Sequence, residues 1–171
     1  AYPVAANVLG NIREVSPGDI EKDSYYTRGD YTGDLGIERS YENILRGEKG
    51  VEILLRDAHG RVKGRYEDGR YDVAPVSGKN LNLSLDIELQ SYGEKLMQNK
   101  IGAIVAIEPS TGEILAMVSS PTDDPSMLVG RERGRNYLEL NRDRYKPLFD
   151  RALMAAYPPG STFKPTQGLI F

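Results

Sequence analysis

Two stretches in the first third of the chain predict helices. The clearer one carries apolar residues at helical spacing: Ile37, Tyr41, Ile44 and Leu45. With Gly47 following as a C-cap, this spacing predicts an amphipathic helix over residues 37–46. Upstream, Ser16-Pro17-Gly18-Asp19 combines a capping serine with a proline at the first helical position. This start signal predicts a second helix leading into residues 20–25.

Further along, the apolar residues change to the spacing of β-strands. Residues 51–57 and 61–67 flank Ala58-His59-Gly60, and this combination predicts a hairpin. Val51, Ile53 and Leu55 share one face of its first strand. Residues 68–80 are rich in Gly, Asp, Pro and Ser, which predicts a connection between two units.

The second half of the chain begins with a short alternating stretch and a helix. Leu81, Leu83 and Leu85 alternate with polar residues, which predicts a strand with one buried face. Asp86 can then cap a helix over residues 87–98. The apolar stripe of this helix consists of Leu89, Tyr92, Leu96 and Met97, and Gly93 weakens it.

Residues 101–108 and 113–119 are joined by Pro109-Ser110-Thr111-Gly112, and within them residues 102–107 and 114–118 are apolar on both faces. Proline and glycine stand where a turn requires them, so the two runs predict a hairpin. Strands of this kind belong inside a sheet that is covered on two sides. Two more helices are predicted, over residues 136–144 and 151–156.

Composition narrows the range of functions. The chain has 171 residues and a formal net charge of −3 with interspersed signs, so it offers no basic surface for nucleic acid. It has no cysteine, which excludes disulfides and thiolate metal sites. The single histidine, His59, stands in a predicted turn, where a surface position is favoured over a metal or catalytic role. The sequence contains no signal peptide or membrane-spanning run, and both ends look cut, so we expect a piece of a longer protein.

Candidate chemistry is concentrated in residues 157–164, Tyr-Pro-Pro-Gly-Ser-Thr-Phe-Lys. The prolines and the glycine end the preceding element, so a helix is predicted to begin with Ser161 as its N-cap. Lys164 would then lie one turn further on, on the same face and within reach of the serine hydroxyl. A serine hydroxyl needs an adjacent base to become a nucleophile, and a neutral lysine is such a base.

A simpler interpretation of the same residues is a capping serine followed by a solvated lysine, and Ser-x-x-Lys taken alone favours it. Pro165 adds a constraint, because a proline disfavours helical geometry at the residue before it. The first turn is therefore expected to be irregular, or Pro165 lies where its missing N–H does no harm.

The wider sequence around Ser161 resembles the first catalytic motif of the penicillin-binding proteins, the serine D,D-transpeptidases that cross-link peptidoglycan. Upstream stretches are similar to the non-catalytic pedestal domain of class B members, and more similar to the elongation enzymes than to the division enzymes. These stretches are Tyr25-Tyr26, Gly29-Asp30, Gly33-Asp34-Leu35-Gly36-Ile37-Glu38, Tyr41-Glu42 and Leu45-Arg46-Gly47-Glu48-Lys49-Gly50. Residues 85–90 resemble the entry to the transpeptidase domain. Ser126 and Asp150 stand where the family more usually has asparagine.

The resemblance implies an α+β fold. Residues 1–80 would form part of the pedestal domain and a linker, and residues 81–171 the beginning of a transpeptidase domain with the first two strands of its antiparallel sheet. Ser161 would attack the penultimate D-alanine carbonyl of a peptidoglycan stem peptide, Lys164 would accept its proton, and β-lactams would be trapped on the same serine. Glu38 is better interpreted as a structural residue at a helix start than as an acid catalyst. The family implies neither a metal nor an organic cofactor.

The family's Ser-x-Asn and Lys-Thr/Ser-Gly motifs lie downstream of the nucleophile and are absent from these residues, so the fragment is expected to be inactive by itself. The remaining strands of the sheet also lie downstream in the family. We therefore expect exposed apolar surface, a free strand edge and self-association.

The expected partners are stem peptides, β-lactams and, through the pedestal, other cell-wall synthesis proteins, with no nucleic acid. The expected location is the periplasmic face of the bacterial inner membrane, with an N-terminal anchor outside this chain. Two alternatives stay open: a scaffold or interaction module whose Ser-x-x-Lys is idle, and a β-lactam sensor. The presence or absence of both downstream motifs would discriminate between the enzyme and these alternatives.

Overall fold

The computed structural model describes residues 3–170. Its helices are α1 (Ala6–Leu9), α2 (Pro17–Lys22), α3 (Gly36–Ser40), α4 (Glu42–Leu45), α5 (Ile87–Leu96), α6 (Arg133–Arg142), α7 (Arg151–Met154) and α8 (Lys164–Ile170). Its strands are β1 (Ile12–Glu14), β2 (Tyr31–Gly33), β3 (Leu54–Arg56), β4 (Val62–Arg65), β5 (Gly102–Ile107) and β6 (Ile114–Ser120). Short 3-10 turns lie at Tyr66–Gly69, Pro125–Leu128 and Gly160–Phe163. These helices and antiparallel two-stranded sheets confirm the α+β class.

The chain forms two units, a first unit of Val8–Leu83 and a second unit that contains residues 3–7 and 84–170. In the first unit, β1 and β2 pair antiparallel, with Ile12 opposite Gly33. Helix α2 begins where the sequence predicts it, because Ser16 and Asp19 form a reciprocal capping box. It ends at Lys22, three residues earlier than the predicted limit.

The single helix predicted over residues 37–46 is wrong, because the chain breaks at Tyr41 between α3 and α4. Tyr41 has φ −115° and ψ 18°, outside helical geometry. The residue after the break is held by tertiary bonds: one Glu42 carboxylate oxygen accepts from the Tyr26 hydroxyl at 2.9 Å and the other from the Gly33 N–H at 2.8 Å. These bonds to distant residues leave no trace in the apolar spacing.

The hairpin predicted around His59 is confirmed as β3 and β4, which pair antiparallel with Leu54 opposite Arg65. Both strands are shorter than predicted. The Asp57 carboxylate closes the turn by accepting from the His59 N–H at 2.9 Å and the Arg61 N–H at 3.0 Å. His59 is exposed in this turn, as the sequence indicates.

Residues 68–80 do more than connect two units. Val73 pairs with Val51, and Val76 pairs with Glu48, through isolated antiparallel bridges. The segment therefore folds back along residues 48–51. The composition of residues 68–80 does not predict this pairing, because the residues that form the bridges alternate with turn-forming residues.

In the second unit, β5 and β6 form the predicted hairpin, and their register runs from Gly102 opposite Ser120 to Ile107 opposite Ile114. Strand β6 is buried from Ala116 to Ser120, whereas β5 alternates between half-buried and exposed positions. Ile101, Val105 and Ile107 are 59%, 44% and 55% exposed. The hairpin therefore presents exposed apolar surface, as expected.

Helix α5 packs against β6, but through a different face from the predicted one. Its buried residues are Gln90 and Gly93, while Leu89 and Tyr92 of the predicted stripe are exposed. Gly93 permits the close approach, since a Cβ there would lie 2.9 Å from Val118 Cγ2. The prediction that the apolar stripe is the contact face of α5 is thus wrong. Gly93, which was expected to weaken that stripe, is required by the packing of α5 on β6.

The strand predicted at Leu81–Leu85 does not form. Two hydrogen bonds attach residues 84–86 to β6. The Asp86 N–H donates to the Leu115 carbonyl at 2.9 Å, and the Ser84 hydroxyl donates to the Ile114 carbonyl. Further along β6, the Gln90 amide accepts from the Met117 N–H at 2.8 Å and donates to its carbonyl at 3.0 Å. A side-chain amide therefore occupies the edge where a neighbouring strand would pair.

Residues 3–7 pack against the later elements of the second unit. Val4, Ala5 and Ala6 are buried, and the Ala5 N–H donates to the Glu94 carboxylate on α5 at 2.7 Å. The Asn7 amide donates to Asp150 at 3.2 Å, next to α7. This short segment consequently packs on elements that follow it by about ninety residues or more.

Candidate active site

The Ser161 turn, defined as residues 158–164, combines rigid prolines with one residue in left-handed conformation. Gly160 has φ +56°, and a Cβ placed on it would meet nothing within 4 Å. Glycine is therefore required here by the backbone conformation and not by crowding. Gly160 is the first residue of the 3-10 turn Gly160–Phe163, and Pro159 is the N-cap of this turn.

Ser161 lies inside this 3-10 turn and not at the N-cap where the sequence places it. The Thr162 N–H and hydroxyl both donate to the Pro159 carbonyl, which tightens the turn around Ser161. The Lys164 N–H donates to the Ser161 carbonyl, and Lys164 then begins α8. The predicted N-cap role of Ser161 is thus wrong, because the turn starts one residue earlier, at Gly160.

The turn geometry keeps the two candidate residues on one face. In a 3-10 turn there are three residues per turn, so side chains at positions i and i+3 eclipse each other. Ser161 and Lys164 stand in this relation, and both are exposed. Lys164 has φ −58° and ψ −40° despite the proline that follows it. Pro165 is the second residue of α8, where an N–H has no helical partner in any case.

The surroundings of the pair are open. Within residues 3–170, neither the Ser161 hydroxyl nor the Lys164 ammonium has a hydrogen-bond or ion-pair partner. Every residue from Ala156 to Ile170 is exposed, so the described residues do not build the dry cleft that favours a neutral lysine. The arrangement presents a nucleophile and a base on one face without completing their environment.

Helix α7 ties the Ser161 turn to the sheet. The Arg151 N–H donates to the Ser119 hydroxyl of β6 at 2.9 Å, and that hydroxyl donates to the Phe149 carbonyl at 3.2 Å. The buried Arg151 guanidinium donates to the carbonyls of Tyr145, Lys146 and Phe149. These bonds fix the N-terminus of α7 on β6, seven residues before the Ser161 turn begins.

In the first unit, several residues of the pedestal-like stretches meet in an ion-pair network. The Arg46 guanidinium lies 4.0 Å from the centre of the Tyr25 ring and pairs with Asp23 at 2.8 Å. Arg46 also holds the pKa of Asp23 below its usual value, with help from the Tyr25 N–H. Lys49 pairs with Asp30 and lowers the pKa of that carboxyl in the same way. These satisfied charges indicate a structural role for the network.

Glu38 lies in the first turn of α3, a position where the helix dipole favours a carboxylate. The part of the chain that the structure describes holds no cluster of three or more His, Cys, Asp or Glu residues able to bind a metal ion. Among the same residues, no helix is long and apolar enough to cross a membrane.

Sequence reasoning missed the residues that anchor the candidate site. Gln90, Asn7 and Asp150 act through bonds to distant parts of the chain, and none has a local signature of that contact. The one available signal was Asp150, which departs from the family's usual asparagine and lies directly before a predicted helix.

Two family models match the chain. Residues 1–83 match the penicillin-binding protein dimerisation domain, and residues 102–170 match the penicillin-binding protein transpeptidase domain. Among curated relatives, the peptidoglycan D,D-transpeptidase MrdA of Acinetobacter baumannii is 40% identical over 94% of this chain and 23% of its own length. MrdA of Escherichia coli K12 is 36% identical over 96% of this chain and 27% of its own length.

Solved structures agree with these relatives. Pseudomonas aeruginosa PBP2, in complex with WCK 5153, matches with a TM-score of 0.76 and 36% identity over 96% of this chain and 32% of that one. Helicobacter pylori PBP2, in complex with MreC, matches with a TM-score of 0.82 and 34% identity over 98% of this chain and 31% of that one. The chain spans about a quarter of the length of the curated relatives it matches.

Proposed function

The chain belongs to the penicillin-binding proteins, with a dimerisation domain before a transpeptidase domain and PBP2-type relatives, and we propose that the protein carrying it is a peptidoglycan D,D-transpeptidase. The observation that carries this proposal is the Ser161 turn, which presents Ser161 and Lys164 on one exposed face. Because the chain spans about a quarter of the length of its curated relatives, the proposal concerns the whole protein and includes a downstream part that completes the site.

In the proposed reaction, the Ser161 hydroxyl attacks the penultimate D-alanine carbonyl of a stem peptide while Lys164 accepts its proton. The tetrahedral intermediate collapses, the carbon–nitrogen bond breaks, and the terminal D-alanine leaves with a proton on its amine. An amine of a neighbouring stem peptide then attacks the Ser161 ester, which forms the cross-link and restores the serine hydroxyl. A β-lactam acylates Ser161 through the same first step.

The local structure supports this division of roles. Ser161 and Lys164 are three residues apart across a 3-10 turn, and this spacing places their side chains on the same face. The residues 3–170 leave the pair solvated. We therefore propose that the 171-residue chain alone is inactive, and that the downstream Ser-x-Asn and Lys-Thr/Ser-Gly motifs complete the proton relay and the oxyanion site.

The proposal is tested by intact-mass measurement after incubation with a penicillin. Three samples are compared: the full-length protein, its Ser161→Ala variant and the 171-residue chain. We expect one covalent adduct on the full-length protein and none on the other two. A full-length protein that is folded but forms no adduct would overturn the enzyme proposal, and an adduct on the short chain would overturn its predicted inactivity.

A second function of the first unit, binding another cell-wall synthesis protein, is favoured by its surface. Val51, Leu55 and Val62 on and beside the β3–β4 hairpin are 54%, 47% and 54% exposed, so this part of the first unit presents apolar side chains to solvent. A similar H. pylori PBP2 was solved in complex with MreC. We expect Val62→Glu to weaken capture of such a partner without reducing penicillin acylation, and unchanged capture would contradict this role.

Residues 1–80 and 81–171 are proposed to be parts of the pedestal and transpeptidase domains. The proposed location is the periplasmic face of the inner membrane, with an N-terminal anchor outside this chain. Self-association of the short chain remains a prediction, based on the exposed side chains of β5. Light scattering that shows a monomer across a wide concentration range would contradict it.

A further inference from the structure

Helix α7 depends on Asp150 for its N-terminus. One Asp150 oxygen, Oδ1, accepts from the Ala152 N–H at 2.9 Å and from the Leu153 N–H at 3.2 Å. A helix of four residues has few internal bonds, so these two side-chain bonds satisfy much of its first turn. The direction of α7 is thus tied to the position of the Asp150 side chain.

The second Asp150 oxygen is held from the far end of the chain. Oδ2 accepts from the Asn7 side-chain amide at 3.2 Å, and the same amide nitrogen lies 3.5 Å from the Met117 carbonyl on β6. Asn7 is itself fixed, because Val4, Ala5 and Ala6 before it are buried and the Ala5 N–H bonds to Glu94. Asn7 therefore connects the cap of α7 to a segment packed on α5.

The link from α7 to the Ser161 turn is short and stiff. Only residues 155–159 separate the end of α7 from Gly160. Pro158 and Pro159 fix their own φ angles, and each proline also restricts the residue before it. A change in the direction of α7 is consequently transmitted to the position of Ser161.

We propose that Asp150 is a positioning residue of the reaction at Ser161, and that Asn7 and Asp150 form a clamp that sets the placement of the Ser161 turn. The inference rests on the proposed function. Either an aspartate or an asparagine at position 150 can cap α7 through Oδ1. Only the carboxylate of an aspartate offers a second acceptor to the Asn7 amide, so the two side chains are complementary. Exchanging the two side chains keeps the bond between positions 7 and 150 with the donor and the acceptor reversed, and it gives up only the longer contact of the Asn7 amide with the Met117 carbonyl.

The test is an amide–carboxylate exchange in the full-length protein. The variants are Asn7→Asp, Asp150→Asn and the double variant with both, and Asn82→Asp in an exposed loop is the charge-matched control. The measurements are the maximal rate of acylation by a fluorescent penicillin, its dissociation constant before acylation, and hydrogen exchange at the Ala152 and Leu153 amides.

We expect Asn7→Asp to lower the maximal acylation rate between about fivefold and fiftyfold, because two carboxylates then face each other and α7 shifts. The penicillin dissociation constant should change by less than about twofold, since the clamp touches no substrate. The double variant should recover the rate to within about threefold of the parent. Protection of the Ala152 and Leu153 amides should fall and recover in parallel, while Asn82→Asp changes neither quantity.

Two results would overturn the clamp while leaving the proposed function intact. One is an unchanged acylation rate and unchanged amide protection in Asn7→Asp. The other is a double variant that stays as slow as Asn7→Asp although its thermal unfolding matches the parent. Absence of any adduct on the parent protein, or an adduct on Ser161→Ala, would overturn the proposed function itself and the clamp with it.

Discussion

Replacing Gln90 with leucine tests whether a buried side-chain amide holds α5 on β6. Gln90 is 0% exposed, and its amide bonds both to the Met117 N–H at 2.8 Å and to the Met117 carbonyl at 3.0 Å. Its Nε2 also donates to the Glu94 carboxylate at 2.9 Å. Leucine has a similar volume and can make neither the two bonds to Met117 nor the bond to Glu94. The substitution therefore removes the polar contacts and largely preserves the packing.

The expected loss follows from the environment of the two bonds. Each buried hydrogen bond contributes about 1 kcal/mol net, and a buried N–H left without a partner costs about 1 to 3 kcal/mol. The apolar contacts that the leucine side chain makes offset a fraction of this loss in stability. We expect the free energy of unfolding to fall by about 2 to 4 kcal/mol in Gln90→Leu.

The assay is urea unfolding at low protein concentration, combined with hydrogen exchange at the Met117 amide. Gln98→Leu is the matched control, because Gln98 is exposed just beyond the end of α5. In Gln90→Leu the Met117 amide should lose protection, since its acceptor is gone. In Gln98→Leu both the unfolding midpoint and the protection should match those of the parent.

A loss of stability below about 0.5 kcal/mol, equal to that of the control, would refute this reasoning. Such a result would mean that apolar contact alone holds α5, and that the Met117 N–H finds another partner or water. Loss of stability with full protection at Met117 would also contradict it, because the damage would then lie elsewhere.

Three further predictions concern the backbone and the charges. Gly160→Ala should lower the acylation rate of the full-length protein about tenfold or more, because a side chain at φ +56° is strained and the turn relaxes away. Gly93→Ala should destabilise the second unit by about 1 to 3 kcal/mol in urea unfolding, since its Cβ would lie 2.9 Å from Val118 Cγ2. Asp30→Asn should reduce the loss of unfolding free energy that occurs as the pH is lowered into the acid range. The pKa of Asp30 lies below its usual 3.8 because of Lys49, so its stabilisation is present above that pH and is lost as the pH falls through the lower folded value.

Gly93→Ala has a matched control, and each of the three predictions has an outcome that would contradict it. Gly134→Ala, where a Cβ would meet nothing within 4 Å, should leave the stability unchanged or higher. If Gly93→Ala behaves like Gly134→Ala, the close packing of α5 is not rigid. An acylation rate unchanged in Gly160→Ala would show that the turn tolerates a side chain. An unchanged loss of unfolding free energy at acid pH in Asp30→Asn would assign the pH dependence to other carboxylates.

The local sequence determined those elements that depend only on residues close to them in the chain. The Ser16 cap of α2, the Asp86 cap of α5 and the hairpin turn at Gly112 all form as predicted, because each depends on residues within a few positions. The Ser161 turn belongs to this class as well. Its prolines restrict the backbone and Gly160 permits the φ of +56°, but the 3-10 turn starts at Gly160, one residue before the predicted cap.

Tertiary structure decided what each element faces. The apolar stripe of α5 predicted the wrong contact face, because the close approach at Gly93 and the bonds of Gln90 to β6 outweigh the hydrophobic spacing. The break at Tyr41 has the same origin, since Glu42 is taken up by bonds to Tyr26 and Gly33.

The sequence by itself indicated the family, the candidate nucleophile and the candidate base, because residues 157–164 and the stretches upstream of them each carry a recognisable local pattern. Only the tertiary structure showed that Asn7 meets Asp150 beside the helix leading to Ser161. Contacts between residues far apart in the chain depend on how the intervening elements pack. No local pattern records that packing, and a single side-chain bond between distant residues has no spacing from which it could be predicted.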